Sequence, residues 1–134
     1  MNFNIMHVIK NKKTILIIED ESSLVNIISS KLKEDDFNVV ASATVDGGIR
    51  DMESNKIDFI WLDHYLLGNK DGIDFVTEVK KREEWKDIPI FVISNTANAD
   101  KLELYIKLGI NKYYVKSDNR IESIINDIKK LLSK

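Results

Sequence analysis

Four places in this chain of 134 residues concentrate groups able to do chemistry: the acidic run Glu19-Asp20-Glu21, the single Asp63, the hydroxyl of Ser94 and the ammonium of Lys116. Each directly follows a short run of β-branched and other apolar residues, at 14–18, 57–62, 89–93 and 112–115. If those runs are strands of one sheet, all four groups arrive at one edge. Carboxylates converging there repel one another in a low-dielectric pocket and need compensation, which a divalent cation and a lysine supply. Mg2+ takes about six oxygens in octahedral geometry, keeps several waters, and uses one or two carboxylates together with phosphoryl oxygens. Glu19, Asp20 and Asp63 form that kind of donor set, completed by a backbone carbonyl just after Asp63. A lone acid at a strand end is ordinarily a solvated charge or a helix cap. The ordered set of acid pair, single Asp, hydroxyl and Lys is what points to a site.

The elements that must position these groups are legible in the pattern. A fifth apolar run, 38–41, ends near Ser42 without an acid, as expected of a strand at the sheet border. Between the runs, Leu24, Ile28 and Leu32 share a helical face, as do Val45, Ile49 and Met52, and Ile73, Val76 and Val79; Leu102 and Ile106 continue the pattern. The last segment carries one stripe of Ile121, Ile124, Ile125, Ile128, Leu131 and Leu132. Thr44 and Asp71 are expected N-caps, Asn119 with Glu122 suggests a capping box, and Gly109 sits where the fourth helix should stop. The sole proline, Pro89, precedes an apolar run and can open a strand without removing a ladder hydrogen bond. Strict β-α alternation with near-continuous apolar strands implies an α/β fold: a parallel, doubly wound five-stranded sheet with helices on both faces. Chemistry in such sheets sits outside the carboxyl ends of the strands.

Size and composition narrow the function. The length suits one domain, expected over 13–134 with residues 1–12 as an N-terminal extension; His7 falls in that extension and receives no role. With 43% hydrophobic and 31% charged residues the chain is expected to fold as a soluble domain. The balance of 20 basic against 22 acidic residues argues against direct nucleic-acid binding through a basic face. No apolar run approaches the roughly 20 residues needed to span a bilayer, so no membrane partner is expected. The absence of cysteine removes disulfides and thiolate sites and suits a cytoplasmic location.

At these residues the chain resembles the receiver domain of two-component response regulators, over about 13–132. Ile-Ile-Glu19-Asp20-Glu21 resembles the family's acidic pocket, Trp61-Leu62-Asp63 the phosphoacceptor strand, and Asp71-Gly72 the turn opening the third helix. Ile93-Ser94-Asn95 is similar to the strand ending in a responsive Ser or Thr. Tyr113-Tyr114-Val115-Lys116 is similar to the strand bearing an aromatic switch residue and the pocket lysine. The resemblance implies a (βα)5 flavodoxin-like fold with strand order 2-1-3-4-5. It also implies a stand-alone phosphoprotein of phosphorelay signal transduction, a switch and not an enzyme. Asp63 would take a phosphoryl group from a sensor histidine kinase or histidine phosphotransfer protein, with Mg2+ as cofactor on Glu19, Asp20, Asp63 and the Tyr65 backbone carbonyl. Lys116 and Ser94 would contact the phosphoryl group, and Ser94 with Tyr113 would switch the surface of the fourth helix, fifth strand and fifth helix toward an unidentified downstream protein.

The chain departs from the family pattern in three places. Ser117 follows Lys116 where proline in a cis bond is common; a non-proline cis bond costs about 3 kcal/mol, so either a trans bond with another loop path or a strained exception is expected. The stretch from Asp63 to Gly72 is one residue longer than usual, with Leu67 in place of proline, and Gly68 and Asn69 are expected to absorb the extra residue through positive φ. Asn95 and Thr96 follow the switch serine and, with Tyr65, form the rim of the phosphoryl site, which predicts a long-lived phosphoryl state. His64 follows Asp63, but strand alternation directs it away from the acid, against a metal-ligand role. The alternatives are a receiver-like interaction module that is not phosphorylated, and a metal-dependent enzyme on a doubly wound sheet. The latter would want a further acid where Tyr65 stands and a basic substrate surface. A flavin mononucleotide site is disfavoured because no phosphate-binding loop follows Ile18.

Overall fold

The computed structural model describes residues 12–96 and 98–133; the expected extension at 1–12, His7 included, lies almost wholly outside them. Five strands, β1 (Thr14–Ile18), β2 (Asn38–Ser42), β3 (Phe59–Leu62), β4 (Ile90–Ser94) and β5 (Lys112–Val115), alternate with α1 (Ser22–Glu34), α2 (Val45–Ser54), α3 (Gly72–Lys81), α4 (Ala99–Leu108) and α5 (Ile121–Leu132). A single 3-10 turn, Lys116–Asp118, joins β5 to α5. Every strand pair is parallel and the order is β2-β1-β3-β4-β5, as the resemblance implies.

Alternation along the strands divides the core in two. Leu16, Ile18, Ile60 and Leu62 pack with Met52, Val76 and Val79 under α2 and α3, while Ile15, Ile17, Phe59 and Trp61 pack with Ile28, Leu32, Ile124 and Ile128 under α1 and α5. Both faces of the inner strands are therefore apolar, which is why they read as unbroken hydrophobic runs.

Local signals hold at most helix ends. Thr44 Oγ1 accepts from Gly47 N at 3.0 Å, Asp71 and Asp74 form a reciprocal capping box, and Gly109 closes α4 with φ +89°. The capping box expected from Asn119 and Glu122 does not form. Arg120 is the N-cap of α5 without a side-chain bond. Asn119 instead donates from Nδ2 to the Val115 carbonyl at 3.0 Å, and Glu122 is drawn to Lys31 of α1 at 2.9 Å. The third strand is shorter than the run 57–62, beginning at Phe59; just before it the Asp58 side chain accepts from the Thr14 N–H at 2.8 Å while the Asp58 N–H donates to the Thr14 carbonyl at 2.9 Å. The fourth starts after Pro89, at Ile90, and extends to Ser94. On α4 the expected inward face is wrong: Ile106 is 62% exposed and Tyr105 is the buried side chain. In the long loop Gly68 has φ +93°, but Asn69 is not among the positive-φ residues, so glycine alone makes the turn.

Candidate functional site

The parallel register decides which strand ends meet. β1 lies between β2 and β3, with Ile18 opposite Leu62, so the residues following each, Glu19 and Asp63, become neighbours. The Asp63 N–H continues the ladder to the Ile18 carbonyl at 2.8 Å. β4 and β5 follow on the far side of β3, with Ser94 opposite Val115, the residue before Lys116. One sheet edge thus receives all four groups that the spacing singles out.

Glu19 and Asp63 are buried while Asp20 is exposed, and one carboxylate oxygen from each lies within 4.8 Å of the others. Lys116 Nζ donates to Glu19 Oε1 at 2.9 Å and stands 3.7 Å from Asp63 Oδ2. The second Glu19 oxygen, Oε2, accepts from the Glu21 N–H at 3.2 Å. Asp63 Oδ1 is buried with no partner among the described residues. Two buried acids therefore share one lysine, and Glu19 holds it more closely.

The electrostatics follow. Burial, then the charge of Glu19, push Asp63 up to about 7 against the pull of Lys116. Burial works to lower Lys116, but the bond it donates to Glu19 and the charges of Asp63 and Glu19 outweigh it, and the net direction is upward. An orphaned buried carboxylate oxygen beside two further acids, with too little positive charge among them, fits a divalent cation with hard oxygen ligands. His64 does not join the donor set. It is buried on the opposite side, with Nδ1 hydrogen-bonded to the Tyr105 hydroxyl at 2.6 Å, in agreement with strand alternation.

The remaining predicted residues form the rim. Ser94 is fully buried and its Oγ accepts from the Thr96 N–H at 3.4 Å; Asn95 is exposed. Thr96 Oγ1 is buried without a partner among the described residues. Tyr113 is half-buried, its hydroxyl donating to the Thr96 carbonyl at 2.8 Å. Tyr65 is exposed; Lys101 from α4 donates to its hydroxyl at 2.9 Å and lies 4.6 Å from the ring centroid, and this bond lowers the phenol's pKa. Ser117 does not misplace Lys116. No cis peptide occurs among the described residues, and a 3-10 turn tied by Asn119 carries the chain past the lysine.

Sequence reasoning did not find Lys101 or Tyr105. A lysine in a helical first turn and a tyrosine on an amphipathic stretch carry no mark of a partner 36 or 41 positions away.

The comparisons with known proteins converge. A family model described as the response regulator receiver domain matches residues 15–128. The chain is 31% identical over 111 residues to the transcriptional regulatory protein YvrH of Bacillus subtilis, covering 81% of this chain but 45% of that protein. It is 31% identical over 110 residues to the chemotaxis protein CheY-3 of Vibrio cholerae, covering 80% of this chain and 82% of that one. Among solved structures, the Mn2+-bound form of response regulator Rcp1 superposes with TM-score 0.73 at 25% identity, covering 80% of this chain and 83% of that one.

Proposed function

The chain belongs to the response-regulator receiver family, and from that premise we propose that Asp63 is the phosphoacceptor of a two-component switch. The observation that carries this is the Asp63 carboxylate itself, buried, with Oδ1 unpartnered and Oδ2 3.7 Å from Lys116. An unpartnered oxygen beside a cation donor set supports a nucleophilic role for Asp63.

In this reading an Asp63 oxygen attacks the phosphorus of a phosphohistidine on a sensor kinase or phosphotransfer protein. The new O–P bond forms as the P–N bond breaks, its electron pair stays on the imidazole, and Asp63 becomes an acyl phosphate. Glu19, Asp20 and Asp63 would hold Mg2+, with the Tyr65 carbonyl as a further ligand; when bound, the ion neutralises charge on the carboxylates and the phosphoryl oxygens. The metal-bound structure of the relative Rcp1 supports that assignment by analogy. Lys116, now shared by Glu19 and Asp63, would pair with the phosphoryl group, and Ser94 would turn its hydroxyl from the Thr96 N–H toward it. Exposed Leu104 and Ile106 on α4 support the surface of α4, β5 and α5 as the place where a downstream protein reads the state. The chain would act as a switch, without turnover of its own.

Incubation with Mg2+ and acetyl phosphate, read by intact mass, tests the proposal. The wild type is expected to gain one phosphoryl group and Asp63→Ala none. A wild type that gains nothing from any phosphodonor, or an Asp63→Ala variant that still gains one, sinks it.

A further inference from the structure

α4 has one buried side chain, Tyr105. Its hydroxyl meets His64 Nδ1 at 2.6 Å, with the two rings edge to face and their centroids 5.6 Å apart. His64 is only 2% exposed, and its carbonyl accepts from the Gly72 N–H at 3.0 Å, where α3 begins. Gly72 is required at that corner, since any side chain there would collide with the Tyr105 hydroxyl. The Tyr105 ring also lies against Tyr113, centroids 5.9 Å apart and tilted by 49°.

We infer that Tyr105 is a positioning residue whose hydrogen bond to His64 makes the placement of α4 depend on what Asp63 holds, by a route that runs through His64 and not through Ser94. The inference rests on Asp63 as phosphoacceptor. His64 is the next residue in the chain, so a cation and phosphoryl group drawn onto Asp63 and the backbone beyond it re-set the peptides flanking His64. A short hydrogen bond between two buried groups is costly to break where no water replaces it. α4 is lightly seated: Tyr105 is its one buried side chain, Leu102 and Leu108 are half-buried, and Leu104 and Ile106 face solvent. When His64 moves, Tyr105 follows and carries α4 with it.

Hydrogen exchange of the whole chain, alone and with Mg2+ plus beryllofluoride as an unreactive phosphoryl mimic, tests this. In the wild type, loading changes exchange along α4. Tyr105→Phe keeps the ring and the helix, and is expected to bind the mimic while its loading-dependent change in α4 falls about threefold. The change at β4 and β5 persists. His64→Leu removes the other end of the same bond and gives the same loss, and the double variant loses no more than either alone. A merely structural tyrosine would alter exchange in the unloaded state but leave the loading-dependent difference intact. A full α4 response in either variant with the mimic bound overturns the coupling while leaving the phosphoacceptor reading standing. A wild type that binds no mimic overturns both.

Discussion

α5 and α4 flank the same strand, β5, and are held by different forces. α5 lays Ile124, Ile125 and Ile128 into the core and adds the partly buried Ile121, Leu131 and Leu132. α4 buries one aromatic ring whose hydroxyl is hydrogen-bonded, adds the partly buried Leu108, and leaves Leu104 and Ile106 in solvent. Apolar burial is non-directional and summed over many atoms, so it fixes a helix without reporting on any one neighbour. A polar anchor is directional and has one partner, so it reports on that partner. The helix with weaker apolar attachment is the one whose anchor touches the residue beside Asp63.

The largest effect is expected on α5. Ile128→Ala removes a fully buried side chain and should cost about 3 kcal/mol in denaturant unfolding, while phosphoryl uptake by the folded fraction stays intact. A cost below about 1 kcal/mol would end the claim that α5 is held by burial.

Asp63, the residue before His64, works against folding. Folded, its carboxyl gains a proton at about 7, against an ordinary 3.8, so between those values the folded state binds more protons than the unfolded chain. The metal-free protein therefore loses stability as pH rises through that window. Asp63→Asn should add on the order of 2 kcal/mol at pH 8 and progressively less toward pH 4, read by thermal melts across pH. Mg2+ should raise the melting temperature of the wild type at pH 8 far more than that of the variant. A pH-independent gain would contradict the buried-charge account.

Tyr105→Phe leaves His64 Nδ1 buried and unpaired, so about 1 kcal/mol of stability should be lost. The smallest change is expected at Ile106→Ser, within about 0.5 kcal/mol of wild type. If that substitution cost as much as Ile128→Ala, α4 would be seated by apolar burial after all and its contrast with α5 would vanish.

Much of this was readable in one dimension. The α5 stripe, the caps at Thr44 and Asp71 and the stop at Gly109 depend on residues within a few positions of one another, and they stand as read. Where a long-range partner competes, local reading fails. Glu122 pairs with Lys31 rather than capping α5, and the Asp58 side chain takes the Thr14 N–H just before β3 begins. α4 misled because Leu102 and Ile106 keep the right spacing for an apolar face. The face that turns inward is Leu102, Tyr105 and Leu108, with Tyr105 bonded to His64.

The sequence by itself determined the alternation of strands and helices and the delivery of Glu19, Asp20, Asp63, Ser94 and Lys116 to strand ends, because side-chain period and strand direction are local properties. Only the tertiary structure decided how these groups divide one another. Strand order placed Glu19 against Asp63. The fold brought Lys116 across 97 positions to Glu19 at 2.9 Å, farther from Asp63 at 3.7 Å, and left Asp63 Oδ1 without a partner. Charge sharing and desolvation depend on distance in space and on what excludes water, and the linear order of residues specifies neither until the chain has folded.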